Sequence, residues 1–146
     1  MAQTLSWSVT SPFVDQRTVV AGDIDAFHHV NNIRYIDWAL DVAWKHSAAL
    51  GLTFTDYKRL GVGCVVRSHE FEYKAPAQVD DKIAIATWIS ENDNRVRLTR
   101  SYELRHAVSD KLLFQGRTFF VCMDIETGKP VRMPKEFVEA YKPVTS

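Results

Sequence analysis

The sequence predicts an α+β fold in which one antiparallel sheet packs on one long helix. Three observations predict it. One extended stretch, following Asn31-Asn32, has helical periodicity. Several strand-like stretches then follow one another without helices between them. The joints between those stretches are mostly tight-turn sequences, so a doubly wound parallel sheet is disfavoured and a two-layer arrangement is the physical solution.

Taken in order, Val19-Val20-Ala21 reads as a first strand. The long helix starts at Asn31-Asn32, where Asn is a good N-cap, and stops at Gly51, which suits a left-handed position. Between them Ile33, Ile36, Leu40, Ala43, Trp44, Ser47 and Leu50 recur at helical spacing, with Asp37, Asp41 and Lys45 interleaved. A short helical turn is expected over Thr55–Leu60, capped by Thr55 and stopped by Gly61. Residues 62–74 form the next strand, with Val65, Arg67, His69, Phe71 and Tyr73 on one face and Ser68, Glu70, Glu72 and Lys74 on the other. Ala75-Pro76-Ala77 breaks it, because Pro cannot donate to a ladder. Strands over 82–91, 95–106 and 112–123 follow, separated by turns at Asn92-Asp93-Asn94 and at Ala107 to Asp110. Glu126-Thr127-Gly128 turns the chain again, and Pro134 to Tyr141 reads as a short closing helix with Pro in its first turn. A single helix covers only part of such a sheet, so uncovered edges and aromatic surface predict self-association.

The chain has 146 residues, which suits one domain over 1–146 with its core at about 6 to 142. Hydrophobic residues make up 46% and charged residues 25%, an ordinary globular composition that argues against disorder. Lys+Arg and Asp+Glu are both 18, so neither a basic nucleic-acid binder nor an acidic tail is expected. No apolar run approaches a membrane span, and the start of the chain lacks a basic region followed by an apolar stretch. A cytoplasmic protein with no membrane partner is therefore expected. Cys64 and Cys122 form no CxxC and read as small buried hydrophobes. The histidines lack zinc-site spacings, so no metal site is expected.

Residues 22–38 read Gly-Asp-Ile-Asp-Ala-Phe-His-His-Val-Asn-Asn-Ile-Arg-Tyr-Ile-Asp-Trp. The segment from Asp23 to Tyr35 resembles the Asp-x-Asp-x-x-x-His-Val-Asn-Asn-x-x-Tyr signature of hotdog-fold thioesterases of the 4-hydroxybenzoyl-CoA thioesterase type. Tyr73-Lys74-Ala75-Pro76, the following Asp80-Asp81 and the closing Gly128-Lys129-Pro130 support the resemblance over most of the chain. It implies a long helix wrapped by an antiparallel sheet and an acyl-CoA thioesterase that uses no cofactor, CoA being part of the substrate. It also implies a homodimer or homotetramer. The catalytic carboxylate of the family falls on Asp25, and the backbone N–H that polarises the thioester carbonyl falls on Asn32.

The chemistry is consistent with that placement. Thioester hydrolysis needs a nucleophile or general base, and donors where oxyanion charge develops. Asp25 precedes the proposed helix cap, and the first turn of a helix offers free N–H groups and a positive dipole end. A carboxylate there attacks directly, giving a mixed anhydride, or activates water; the sequence leaves both routes open. Each residue also has a structural reading. Asp23 and Asp25 suit an Asx turn, Asn31 suits a cap, and Tyr35 and Trp38 suit helix packing. His29 is a further catalytic candidate, and Asn31, Tyr35, Arg95 and Arg100 are substrate-binding candidates.

The chain departs from two related patterns. Phe27 stands where plant acyl-carrier-protein thioesterases carry an Asn, and Pro76 aligns near their downstream acidic residue, which favours the Asp-based acyl-CoA branch. Asn92-Asp93-Asn94 stands where the hydroxybenzoyl-CoA relatives carry phosphate-binding basic residues. Between Asn94 and Arg117, however, six basic residues outnumber Glu103 and Asp110, offering a basic region for CoA. Arg100 interrupts an apolar face made by Val96, Leu98, Tyr102 and Leu104, so it requires either an ion-pair partner or a ligand phosphate or pantetheine. The alternatives on this fold are a dehydratase or hydratase, and a non-catalytic acyl-CoA-binding protein.

Overall fold

The computed structural model describes residues 4–144. Five strands form one antiparallel sheet: β1 (Phe13–Thr18), β2 (Val62–Tyr73), β3 (Lys82–Asn92), β4 (Arg97–His106) and β5 (Leu112–Asp124), in the order β1-β3-β4-β5-β2. The helices are α1 (Asn32–Ala49), α2 (Phe54–Leu60) and α3 (Lys135–Ala140). Consecutive β3, β4 and β5 form a meander, whereas β1 and β2 sit on opposite edges. The chain between those two must therefore cross the sheet, and α1 makes the crossing, packed on β1, β3 and β4. This is the expected hotdog architecture. Among the described residues, no helix is long and apolar enough to cross a membrane.

The ends of α1 follow the sequence closely. The Asn31 side chain accepts from the Ile33 N–H at 3.0 Å, and Gly51 takes a positive φ of 88° just past the last turn. The buried face overlaps the expected stripe but is shifted from it. Tyr35, Trp38, Ala39 and Val42 join Ala43 and Ser47 inside, while Ile33 and Trp44 are 61% and 51% exposed. Apolar residues cover more than one stripe of this helix: of the series beginning at Ile33, Ala43 and Ser47 are buried and Ile36 and Leu40 pack against the core, while Ile33, Trp44 and Leu50 lie outside it.

Three other expectations are corrected. The first strand is Phe13–Thr18; Val19 is buried just beyond it, and Ala21–Asp23 is a single 3₁₀ turn. An edge strand with the sequence FVDQRT carries little apolar alternation to reveal it. The cap of α2 is Thr53 rather than Thr55, its hydroxyl accepting from the Asp56 N–H while the Asp56 carboxylate accepts from the Thr53 N–H. In β2 a bulge between Val66 and Ser68 breaks the alternation. Cys64 and Val66 face inward before it, and Phe71 and Tyr73 face inward after it, so Val65 and Arg67 do not share the face of His69.

The interior has two centres. One gathers Tyr35, Trp38, Ile83, Ile85, Leu104 and Phe114 under the first half of α1. The other gathers Tyr57, Ile89, Leu98, Cys122, Phe137 and Tyr141 between α2, α3 and the far end of the sheet. Cys64 and Cys122, distant in sequence, are directly paired across β2 and β5 with sulfurs 4.0 Å apart, both as free thiols. Gly116 sits where β5 approaches β2 closely: a Cβ there would lie 2.4 Å from the Glu70 carbonyl oxygen.

Candidate active site

The site is built on the loop between β1 and α1. This loop folds back on itself: Asp25 N–H donates to His29 O at 2.9 Å, His28 N–H donates to Asp25 O at 3.1 Å, and Ile24 bridges Val30. His28 takes a positive φ of 64°, uncommon for a residue with a Cβ. Asp23 anchors the base of the loop. Its carboxylate accepts from the Val20 N–H at 3.0 Å and approaches Arg34 Nε at 3.4 Å, while its carbonyl accepts from the Asn31 N–H at 2.8 Å. Asp23 is thus structural, but by capping the 3₁₀ turn and approaching Arg34 rather than through the expected Asx turn.

Asp25 Oδ1 accepts from the Phe27 N–H at 2.8 Å, an Asx turn that orients the carboxylate. Asp25, His29, Asn32 and Tyr35 line one cavity of about 370 Å³. The N–H inventory of the first turn of α1 is informative. Ile33 N–H goes to the Asn31 side chain and Arg34 N–H to the Asn31 carbonyl, whereas Asn32 N–H has no acceptor among the described residues. It is the orphan donor that a helix start leaves for a ligand.

The opposite wall comes from the end of β2 and the segment after it: Tyr73, Lys74, Ala75 and Pro76. Ala77 ties this segment down, donating its N–H to the Tyr35 hydroxyl at 3.0 Å and accepting from the Val30 N–H at 3.0 Å. The Tyr73 hydroxyl donates to Asn32 O at 3.1 Å. Tyr35 stacks on Phe114 and meets Tyr73 edge-on at 5.7 Å. Burial pushes the Tyr35 phenol above its ordinary value, partly opposed by the Ala77 N–H, and burial also raises Tyr73. Both are neutral phenols at pH 7, with no charge to compete with a substrate oxyanion. In the sequence, residues 73–76 support a resemblance and no more; their place in the wall follows from sheet topology, which local sequence does not display.

The remaining candidates lie elsewhere in the chain. The Asn31 side chain is engaged as the helix cap. Arg95 is exposed in the β3–β4 turn, its N–H held by the Asp93 carboxylate. Arg100 is buried near the C-terminal half of α1 and donates to His46 and Ser47. No carboxylate among the described residues pairs with it, so the ion-pair expectation is not met within this chain. The basic region over 94–117 also divides: Arg100 points inward, Arg105 pairs with Asp110, and Arg117 pairs with Glu70 at 2.8 Å. Strand alternation sends neighbouring cations to opposite faces, so a positive count in sequence is not a positive patch in space.

The sequence matches the thioesterase-like superfamily over residues 19–141. None of the curated proteins matches it. Among solved structures, a 1,4-dihydroxy-2-naphthoyl-CoA thioesterase from Synechocystis is 20% identical with a TM-score of 0.80, covering 90% of this chain and 96% of that one. A hypothetical protein from Staphylococcus aureus, determined in complex with CoA, is 16% identical with a TM-score of 0.83, covering 97% and 92%. A DHNA-CoA thioesterase, also from Staphylococcus aureus, is 21% identical with a TM-score of 0.78, covering 88% and 87%. At these identities the likeness carries the fold.

Proposed function

The chain belongs to the thioesterase-like superfamily, and on that premise we propose that it hydrolyses acyl-CoA thioesters at the Asp25 cavity. The observation that carries this reading is that Asp25 and Asn32 line one cavity, with the Asn32 N–H unengaged among the described residues. A thioester carbonyl between them meets a base or nucleophile on one side and an oxyanion donor on the other. The CoA-bound relative supports CoA as the thiol portion.

Two routes fit the geometry. In one, an Asp25 oxygen attacks the carbonyl carbon, negative charge moves to the carbonyl oxygen beside Asn32 N–H, and the C–S bond breaks to release CoA thiolate. The mixed anhydride left behind is hydrolysed by water to the free acid, regenerating the carboxylate. In the other, Asp25 takes a proton from water as that water attacks, and the proton passes on as the thiolate leaves. In this reading His29, exposed at the cavity, orients the loop or contacts the substrate. We also propose that the working form is a homo-oligomer, supported by the open edge of β2 and by Trp44 and Phe27, the latter 80% exposed beside the cavity.

The test is thiol release from a series of aliphatic and aromatic acyl-CoAs. Hydrolysis of at least one is expected, and Asp25→Asn is expected to lower kcat by roughly 10²-fold or more with the fold retained. Release from none of them, with clear CoA binding, would leave an acyl-CoA-binding protein instead.

A further inference from the structure

A second cavity, of about 340 Å³, lies between α1, α2, β2 and β4, at the low end of the range for small-molecule sites. Trp44, Phe54, Leu98 and Phe120 give it apolar walls. Arg100 also lines it, although that residue is only 3% exposed. The guanidinium donates to His46 Nδ1 at 2.8 Å, Thr87 Oγ1 at 3.1 Å and Ser47 Oγ at 3.2 Å, and its carbon lies 5.9 Å from the Tyr141 ring. All three acceptors are neutral. Burial, reinforced by Arg100, pushes the His46 pKa down to about 4, so its imidazole is uncharged at pH 7.

A guanidinium stays protonated wherever it is placed, and burying it without a counter-charge costs several kcal/mol. These three hydrogen bonds use three of its five N–H groups, and no carboxylate among the described residues is within ion-pair distance. A positive charge beside an apolar chamber is complementary to a molecule with an apolar body and an anionic planar head. The guanidinium fork matches a carboxylate in particular. We infer that this cavity binds a free apolar carboxylate, its hydrocarbon or aryl body between the aromatic walls and its head neutralising Arg100.

This site is distinct from the Asp25 cavity. His46 and Ser47 lie about 20 Å along α1 from Asn32, at 1.5 Å per residue. The acid released by thioester hydrolysis has the required chemistry, but the inference stands on Arg100 and its surroundings alone.

The test compares sodium decanoate with 1-decanol, which share an apolar body and differ in charge, by calorimetric titration of the full chain below micelle-forming concentrations. Decanoate is expected to bind at least about 10-fold more tightly, the ratio a hydrogen bond to a charged group supplies. Arg100→Met, similar in length and uncharged, is expected to lose that preference with its circular dichroism unchanged. Should that variant not fold, Arg100→Lys, which keeps the charge but loses the fork, is expected to retain only part of the preference. Asp25→Asn is expected to bind decanoate as the wild type does, so this result is read independently of hydrolysis. Equal affinity for the two probes, no decanoate binding up to millimolar concentration, or a preference that survives Arg100→Met overturns the proposal. So does ultraviolet absorbance showing Cys64, which also lines the cavity, as thiolate at pH 7, because the charge is then already balanced.

Discussion

The Tyr73 hydroxyl donates to the carbonyl oxygen of Asn32 at 3.1 Å, fastening the end of β2 to the first turn of α1. Asn32, which lines the Asp25 cavity, is thereby held through its own carbonyl. Tyr73→Phe is expected to cost about 0.5–1.5 kcal/mol in stability, measured as a lower urea midpoint. Its kcat on acyl-CoA is expected to fall less than that of Asp25→Asn, because the Asn32 N–H is loosened but kept, whereas Asp25→Asn removes the base or nucleophile itself.

Asn31 acts on the same turn through its side chain. Asn31→Ala is expected to destabilise by about 1 kcal/mol, while Asn31→Ser, another good cap, is expected to keep both stability and KM. A raised KM in the Ser variant with an unchanged denaturation curve would instead indicate a direct substrate contact.

Gly116 is fixed by space. With the Glu70 carbonyl oxygen 2.4 Å from an added Cβ, Gly116→Ala must push β5 away from β2. A loss of about 1–3 kcal/mol is expected, the usual cost of forced overpacking, and thermal unfolding would show it. An unchanged Tm would mean that the strand pair yields freely.

Acid should weaken the fold before most carboxylates titrate. His46 is held neutral with a pKa of about 4 by burial and then by Arg100, against an ordinary value of 6.5. The unfolded chain binds that proton first, so stability contributed above pH 6.5 is lost as pH falls toward 4. With solvent screening discounted, the loss is on the order of 1–3 kcal/mol. Burial lowers His69 too, adding in the same direction. Urea midpoints of the wild type are expected to fall between pH 7 and 4.5, and those of His46→Gln to fall less.

Much of this was legible in the sequence because it is local. Asn31, Gly51 and Gly61 mark helix ends through their own backbone and side-chain chemistry, and the turn at Asn92-Asp93-Asn94 is likewise self-contained. The motif from Asp23 to Tyr35 carries one whole side of the candidate site. What was not legible depends on partners distant in the chain. The inward stripe of α1 is chosen by β3 and β4 rather than by Ile33, and the wall from Tyr73 to Pro76 is brought to Asp25 by the crossing of α1. Arg100 was visible as an anomaly on an apolar strand face, but its neighbours His46 and Ser47 came from another element altogether.

The bulge at Arg67 bears on how this chain tolerates changes in length. It lets Cys64 and Val66 serve the Arg100 cavity while Phe71 and Tyr73 serve the Asp25 side, all from one strand and one face. Without the extra residue's detour, strict alternation would turn Glu70 and Glu72 toward α1. At that position the count of residues matters more than their identity: deleting Arg67 keeps both halves in phase, whereas deleting a neighbour beyond the bulge rotates the strand end out of step. Related chains that have gained or lost a single residue in β2 should therefore have done so here.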